Sequence, residues 1–88
     1  QIAMIELIDF YADWCHPCHL MHPIIEEIEK EHAGKLTVTK IDVDKEPERA
    51  AEFNVLSIPT YVIKKDGKVV EQFSGAVSKE VLVGKLGL

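Results

Sequence analysis

A chain of 88 residues with 47% hydrophobic and 28% charged residues has the composition of an ordinary globular protein, so we expect a single domain over residues 1–88. Its net charge of −5 at pH 7 disfavours nucleic acid and anionic lipid as partners, because both require clustered cations. The apolar runs are far shorter than the roughly 20 residues that span a bilayer, so no membrane segment is expected.

The chain has two cysteines, Cys15 and Cys18, which lie three positions apart. A bridge between them closes too short a loop to act as the multi-disulfide framework of a small secreted protein. Their Cys-x-x-Cys spacing instead indicates either redox chemistry or metal binding. Only other features of the chain can distinguish redox chemistry from metal binding.

A mostly apolar run over residues 4–10 predicts a strand buried on both faces, interrupted by Asp9. From Cys15 onward the pattern predicts a helix that ends near Gly34, with Pro23 producing a kink in the turn before it. Apolar residues at helical spacing form the predicted buried face of this helix: Leu20, Met21, Ile24, Ile25 and Ile28.

Alternating apolar residues over 36–43 predict a second strand. Because the alternation slips in phase between Val38 and Ile41, we expect a bulge there. Asp44 then offers an N-cap for a short helix of about two turns that runs to Phe53.

Residues 60–64 and 68–73 have the composition of β-strands and predict a hairpin. Asp66-Gly67 lies between them, and this pair readily adopts the positive φ angles of a tight turn. The hairpin indicates an antiparallel part of the sheet.

Ser78, after the hairpin, is a candidate N-cap for a last helix. Val77 and Leu82 flank it at the positions of a hydrophobic staple, and Gly84 and Gly87 are expected to fray the helix end. The full order is β-α-β-α-β-β-α, which is an α/β arrangement. A helix joins the first two strands, so these strands should run parallel.

The start of the first helix gives the two cysteines unequal roles. Cys15 would lie where unpaired backbone N–H groups and the helix dipole favour an anion, so it is the predicted thiolate. Cys18, one turn further in and less exposed, can attack Cys15 but cannot reach an outside substrate. This asymmetry favours thiol–disulfide exchange.

Two other chemistries fit the same short segment. Zinc could be held by Cys15, Cys18, His19 and His22, with His16 as a fifth candidate ligand. Cys15-x-x-Cys18-His19 also matches the attachment motif of c-type haem, although a haem protein wraps its chain around the ring and the later strands predict a sheet. A zinc- or haem-binding module is therefore the alternative outside the redox class.

Five separated places in the chain share the pattern of one known family. They are the run 9–18, Pro23 inside the helix, residues 40–44, Ile58-Pro59-Thr60, and the turn and glycine at Asp66-Gly67 and 74–76. In these segments the chain resembles the thioredoxin family. The resemblance implies a thioredoxin-like fold with a central four-stranded mixed sheet, lacking the family's usual first strand and helix. It also implies a protein-disulfide oxidoreductase with a redox-active Cys15–Cys18 disulfide and no other cofactor or metal.

The resemblance also assigns roles to residues around the cysteines. Asp9 is expected to be a buried base that deprotonates Cys18, and Lys40 is expected to modulate the pKa of Asp9. Pro59 is expected to be cis and to present the backbone of Ile58 to an extended substrate. The other expected substrate contacts are Trp14, which also shields the nucleophile, and His16, Pro17 and Gly75.

The expected partners are disulfide-containing protein substrates and a reductase that restores the dithiol, with the chain acting as a cytoplasmic monomer. Three residues depart from the usual family pattern: His16 stands in place of Gly, His19 in place of a basic residue such as Lys, and Tyr11 in place of a second Trp. A disulfide reductase is the favoured function. The departures leave open the alternative of a disulfide oxidant or isomerase.

Overall fold

Seven elements follow one another in the order that the hydrophobic pattern predicts. The computed structural model describes residues 4–88, so the first three residues of the predicted 1–88 domain lie outside the described part. The strands are β1 (Ile5–Tyr11), β2 (Leu36–Asp42), β3 (Thr60–Lys65) and β4 (Lys68–Ser74), and the helices are α1 (His16–Glu31), α2 (Pro47–Glu52) and α3 (Lys79–Leu86). The predicted strand bounds agree with these to within one residue at each end.

The four strands form one mixed sheet in the order β2-β1-β3-β4. β1 runs parallel to β2 and antiparallel to β3, while β3 and β4 form the predicted hairpin. The turn residues Asp66 and Gly67 have φ angles of 52° and 83°, as a tight hairpin requires. β1 is a central strand with a neighbour on each side. Its carboxyl end, and the start of α1 that follows it, therefore lie near the middle of one edge of the sheet, where the strands end.

The bulge predicted between Val38 and Ile41 is wrong. β1 and β2 pair without a shift from Ile5↔Leu36 to Tyr11↔Asp42. The apolar pattern slips because both faces of the sheet are covered: Val38 packs on one face and Ile41 on the other. A register shift occurs instead in the β3–β4 pair.

Helices cover the two faces of the sheet separately. The larger cluster lies under α1 and α3 and includes Leu7, Met21, Ile25, Ile28, Tyr61, Ile63, Leu82 and Leu86. On the other face, Ile8, Phe10, Ile41 and Val62 pack against Ala50 and Phe53 at α2. Successive β1 residues therefore enter opposite clusters, which explains why the first strand is apolar almost throughout.

α1 continues through Pro23 and buries a narrower face than its sequence predicts. Its buried residues are Cys18, Met21, Ile25 and Ile28, which recur every three or four positions. Leu20 does not belong to this face, because it lies about 100° around the helix from Met21 and is 55% exposed.

The helix ends agree with the predictions in part. Ser78 caps α3, since its Oγ accepts a hydrogen bond from the Val81 N–H at 3.2 Å. The α3 end is closed rather than frayed, because Gly87 adopts φ 74° and its N–H donates to the carbonyls of Gly84 and Val83. The Asp44 cap is wrong: the residue before α2 is Glu46, and its side chain makes no capping hydrogen bond.

Candidate active site

The segment between β1 and α1 holds the first cysteine at the start of the helix. Ala12 is fully buried, and its carbonyl accepts a hydrogen bond from the Cys15 N–H at 3.1 Å. Cys15 is the N-cap of α1, with extended backbone angles, and Pro17 follows within the first turn. Proline suits this position because the first helical N–H groups have no partner within the helix.

Cys15 and Cys18 are joined by a disulfide, with their Cα atoms 5.3 Å apart. The Cys15 sulfur also accepts a hydrogen bond from the Cys18 backbone N–H at 3.3 Å, which makes it the capping atom of α1. Cys15 is 4% exposed and Cys18 is 1% exposed. A negative charge on the Cys15 sulfur would face the amino end of the helix, where the dipole and the free N–H groups stabilise anions.

Asp9 is a buried carboxylate on β1, only 1% exposed. Burial raises its pKa to about 6, and the Lys40 ammonium opposes part of that rise. Lys40 is the β2 residue directly paired with Asp9 in the sheet, so the two residues are neighbours. Within residues 4–88 neither Asp9 oxygen has a hydrogen-bond partner.

The Asp9 carboxylate lies against the helix face that carries the second cysteine. Its Oδ2 is 4.0 Å from Nε2 of His22. Cys18 and His22 are four residues apart on α1, so they occupy the same face of the helix. A titratable group is therefore held against the helix face that carries Cys18.

A loop before β3 completes the other side of the site. The Ile58–Pro59 peptide bond is cis, as the resemblance implies. Ile58 packs against the cluster that contains Ala12 and both cysteines. Gly75 donates its N–H to the Pro59 carbonyl at 2.9 Å with φ 97°, a conformation that a side chain would strain. The backbone of this loop is thus fixed beside the disulfide.

Trp14 lies at the surface next to the disulfide, 70% exposed. Its indole forms one wall of a cavity of about 310 Å³ whose other lining residues are Val43, Ala50, Val55, Leu56, Ser57 and Ile58. Leu56, another lining residue, is 96% exposed. An exposed aromatic and an exposed leucine around an apolar cavity form a surface suited to another chain.

The thioredoxin family model matches residues 2–87. The chain belongs to the thioredoxin family. It is 49% identical over 80 residues to a thioredoxin of Mycobacterium bovis, covering 91% of this chain and 69% of that protein. It is 50% identical over 78 residues to a thioredoxin of Listeria monocytogenes, covering 89% of this chain and 76% of the relative.

Solved thioredoxin structures share the fold. A mutant thioredoxin from Halobacterium salinarum superposes with a TM-score of 0.87 at 35% identity, covering 93% of this chain and 71% of that one. Mitochondrial thioredoxin 3 from Saccharomyces cerevisiae, in its oxidised form, gives 0.85 at 34% identity, covering 94% and 76%. This thioredoxin-family chain is accordingly a protein-disulfide oxidoreductase, and Cys15–Cys18 is its redox-active disulfide.

Several residues of this thioredoxin site were not predicted to belong to it. Asp44 accepts a hydrogen bond from the Trp14 indole, although its sequence context predicts a helix cap. Leu56 and Val43 line the cavity, and nothing in their local sequence indicates it. His22 was predicted only as a possible zinc ligand. Its spacing of four from Cys18 nevertheless places both residues on the same face of a helix.

The remaining histidines of the segment lie outward. His16 is exposed between the cysteines, and the His19 ring is 2.5 Å from the Asp13 carbonyl. Over residues 4–88 no group of three or more His, Cys, Asp or Glu side chains is arranged to hold a metal ion.

In the same part of the chain, no helix has the length and apolar character needed to cross a membrane.

Proposed function

We propose that this chain is a disulfide reductase that transfers two electrons from its Cys15–Cys18 dithiol to a disulfide in a protein substrate. The Cys15 thiolate attacks one substrate sulfur, the substrate S–S bond breaks, and the other substrate sulfur leaves and takes up a proton. Cys18 then attacks Cys15, which releases the second substrate sulfur and closes the Cys15–Cys18 disulfide. A reductase must return two electrons and two protons before the next cycle.

The observation that carries the proposal is the hydrogen bond from the Cys18 N–H to Cys15 Sγ. A charge-assisted hydrogen bond at a helix N-terminus favours the thiolate on Cys15 over one on Cys18. Cys15 is therefore the nucleophile, and the more deeply buried Cys18 resolves the mixed disulfide.

Asp9 is the base that accepts the Cys18 proton in the resolving step. Its pKa of about 6 leaves it largely ionised at pH 7 yet far more basic than an ordinary aspartate. Lys40 keeps that pKa from rising further, which is the role we give it.

The substrate binds as an extended segment across the loops that surround Cys15. Ile58 and Pro59 present fixed backbone groups, and the Gly75 N–H holds that loop in place. The remaining contacts come from exposed or partly exposed residues around the disulfide: Trp14, His16 and Pro17. The partners are thus disulfide-containing proteins and a reductase.

We place this activity in the cytoplasm, where thiols are kept reduced and a dithiol donor can be recharged. We also propose that the chain acts as a monomer and without a metal or organic cofactor, since the exchange chemistry needs only the two sulfurs and a base. Light scattering at working concentration and elemental analysis test these two points. A stoichiometric metal or a haem absorption band in the purified protein would favour the binding-module alternative.

The direction of electron flow is tested by equilibrating the protein with glutathione buffers at pH 7. A reductase should have a potential near the value of about −270 mV that is characteristic of thioredoxins. A value near about −180 mV would identify an isomerase, and one near about −120 mV an oxidant.

The order of attack is tested by trapping with matched variants. Cys18→Ser should accumulate a stable mixed disulfide between Cys15 and a disulfide-bonded protein, seen as a mass increase that dithiothreitol reverses. Cys15→Ser should trap nothing. Trapping through Cys18 instead would reverse the assignment of nucleophile and resolving thiol.

A further inference from the structure

His22 presents an unpartnered nitrogen to the buried carboxylate of the site. Its Nε2 is buried, has no hydrogen-bond partner within residues 4–88, and is 4.0 Å from Asp9 Oδ2. Both Asp9 oxygens are also without a partner in that part of the chain. Buried polar atoms are nearly always paired, so the unpaired Nε2 and Oδ2, 4.0 Å apart, are candidates for exchanging a proton.

His22 also connects the interior to the surface. Its side chain is 22% exposed, whereas that of Asp9 is 1% exposed. The ring is held by aromatic neighbours, with Tyr11 and His19 both edge-on at centroid distances of 5.4 and 5.7 Å. The imidazole therefore has its buried nitrogen at Asp9 while another part of the side chain reaches solvent.

We propose that His22 is a proton relay between Asp9 and solvent. The inference rests on the proposed function, because it uses Asp9 as the acceptor of the Cys18 proton. Neutral His22 takes the proton from Asp9 at Nε2 and gives up the proton on Nδ1 to water. The carboxylate is thereby reset. The first tautomer returns when the ring exchanges protons with water, losing the proton on Nε2 and taking one up at Nδ1.

The charges around the pair suit this transfer. Burial lowers the pKa of His22, and Lys40 on β2 and His19 on α1 lower it further, while Glu26 on α1 opposes them. Burial moves the two pKa values in opposite directions: it raises that of Asp9 from 3.8 to about 6 and lowers that of His22 below its ordinary value. The raised pKa makes Asp9 able to accept a proton near neutral pH, and the lowered pKa keeps His22 neutral there, so that its Nε2 can accept that proton in turn.

Tyr61 on β3 is another titratable side chain near Asp9, and it cannot serve as the relay. Burial first and the Asp9 charge second raise its pKa well above the ordinary range, so its hydroxyl stays protonated in the working pH range. It is fully buried and has no hydrogen-bond partner within residues 4–88. Tyr61 thus offers no path to solvent, and His22 does.

The relay is tested by following sulfur chemistry and proton release together in a stopped-flow instrument. Reduced protein is mixed with 5,5′-dithiobis(2-nitrobenzoate), whose two thiol products report attack by Cys15 and then closure by Cys18. A pH-indicator dye in weak buffer reports protons reaching solvent. In the parent, proton release should keep pace with the second thiol.

His22→Ala and His22→Gln should delay proton release about tenfold relative to the second thiol at pH 7, because the general acid–base group is lost. Added imidazole should restore the rate in His22→Ala. His32→Ala, which removes a histidine at the far end of α1, is the matched control and should behave like the parent.

Proton release in both His22 variants that still keeps pace with the second thiol would overturn the relay. So would a delay in His22→Ala that imidazole does not shorten and that His22→Gln does not share, because that pattern indicates lost packing. The first thiol release and the trapping by Cys18→Ser do not depend on His22. A failure of the proposed function would therefore be visible separately.

Discussion

The indole Nε1 of Trp14 donates a hydrogen bond to Asp44 Oδ2 at 2.8 Å. It joins the loop before the disulfide to the turn after β2, 30 residues away in sequence. Asp44 is itself positioned locally, because its backbone N–H donates to Asp42 Oδ1 at 2.9 Å. The orientation of the exposed tryptophan is thus set by a turn that is distant in sequence from the cysteine segment.

Asp44→Ala should loosen Trp14 and raise KM for a protein disulfide about two- to fivefold with little change in kcat, because one hydrogen bond contributes about 0.5–1.5 kcal/mol. Trp14 is the chain's one tryptophan, so its fluorescence anisotropy reports the loosening directly. Asp13→Ala removes an exposed carboxylate from the same loop and should leave both readouts unchanged. Unchanged anisotropy in Asp44→Ala would remove this hydrogen bond from substrate binding.

Asp9→Asn should make the folded protein more stable at pH 7. Folding raises the pKa of Asp9 from 3.8 to about 6, so the destabilisation is absent below about pH 3.8 and complete above about pH 6. At about 1.36 kcal/mol per pKa unit the shift corresponds to about 3 kcal/mol, and asparagine does not ionise. Urea unfolding of both oxidised proteins should show a gap at pH 7 that closes toward pH 4.

The same Asp9→Asn variant should resolve mixed disulfides about 10- to 100-fold more slowly near pH 7, because the base that accepts the Cys18 proton is lost. Stopped-flow release of the second substrate thiol measures this rate between pH 6 and 8. Attack by Cys15, followed as the first thiol, is the internal control. Equal second-phase rates in parent and variant would show that Asp9 is not the base.

Lys40→Gln should raise the pKa of Asp9, because it removes the cation that opposes the effect of burial. The pH at which resolution reaches half its maximal rate should therefore move upward. Lys35→Gln, at another exposed lysine just before β2, serves as the control for the loss of one positive charge. A downward shift, or an equal shift in both variants, would contradict the pairing of Lys40 with Asp9.

His16→Gly should lower the reduction potential by about 15–60 mV, since about 30 mV corresponds to 1.4 kcal/mol for two electrons. His16 is exposed beside Cys15, and a ring N–H that donates to the thiolate stabilises the reduced form. Glutathione equilibration of both proteins at pH 7 gives the difference. An equal or higher potential in the variant would assign His16 to substrate contact alone.

Local patterns were sufficient to predict the order of elements and the strand bounds. The Asp66-Gly67 turn and the Ser78 cap depend on neighbouring residues only, so their sequence signals are reliable. The predicted bulge and the predicted burial of Leu20 failed for the opposite reason. Which face of an element is covered depends on partners elsewhere in the chain.

The residues of the site also fall into those that the sequence predicts and those that it does not. The roles of the cysteines follow from a motif at a helix start, and the resemblance supplied Asp9, Lys40 and Pro59. Features that join distant segments have no local signal; examples are the hydrogen bond from Trp14 to Asp44 and the cavity that Trp14 and Leu56 both line. They exist only after the sheet has brought the ends of its strands together.

The sulfur that caps α1 is the sulfur that reacts, which couples helix stability to redox state. Whatever free energy the helix amino end gives the Cys15 thiolate, the thiolate gives back to the helix, because such coupling is reciprocal. A substitution that weakens the first turn of α1 would therefore lower the reduction potential without touching either sulfur. Loss or gain of the thiolate would in turn change how firmly residues 16–19 are held, so a partner could distinguish the oxidised from the reduced chain by its rigidity.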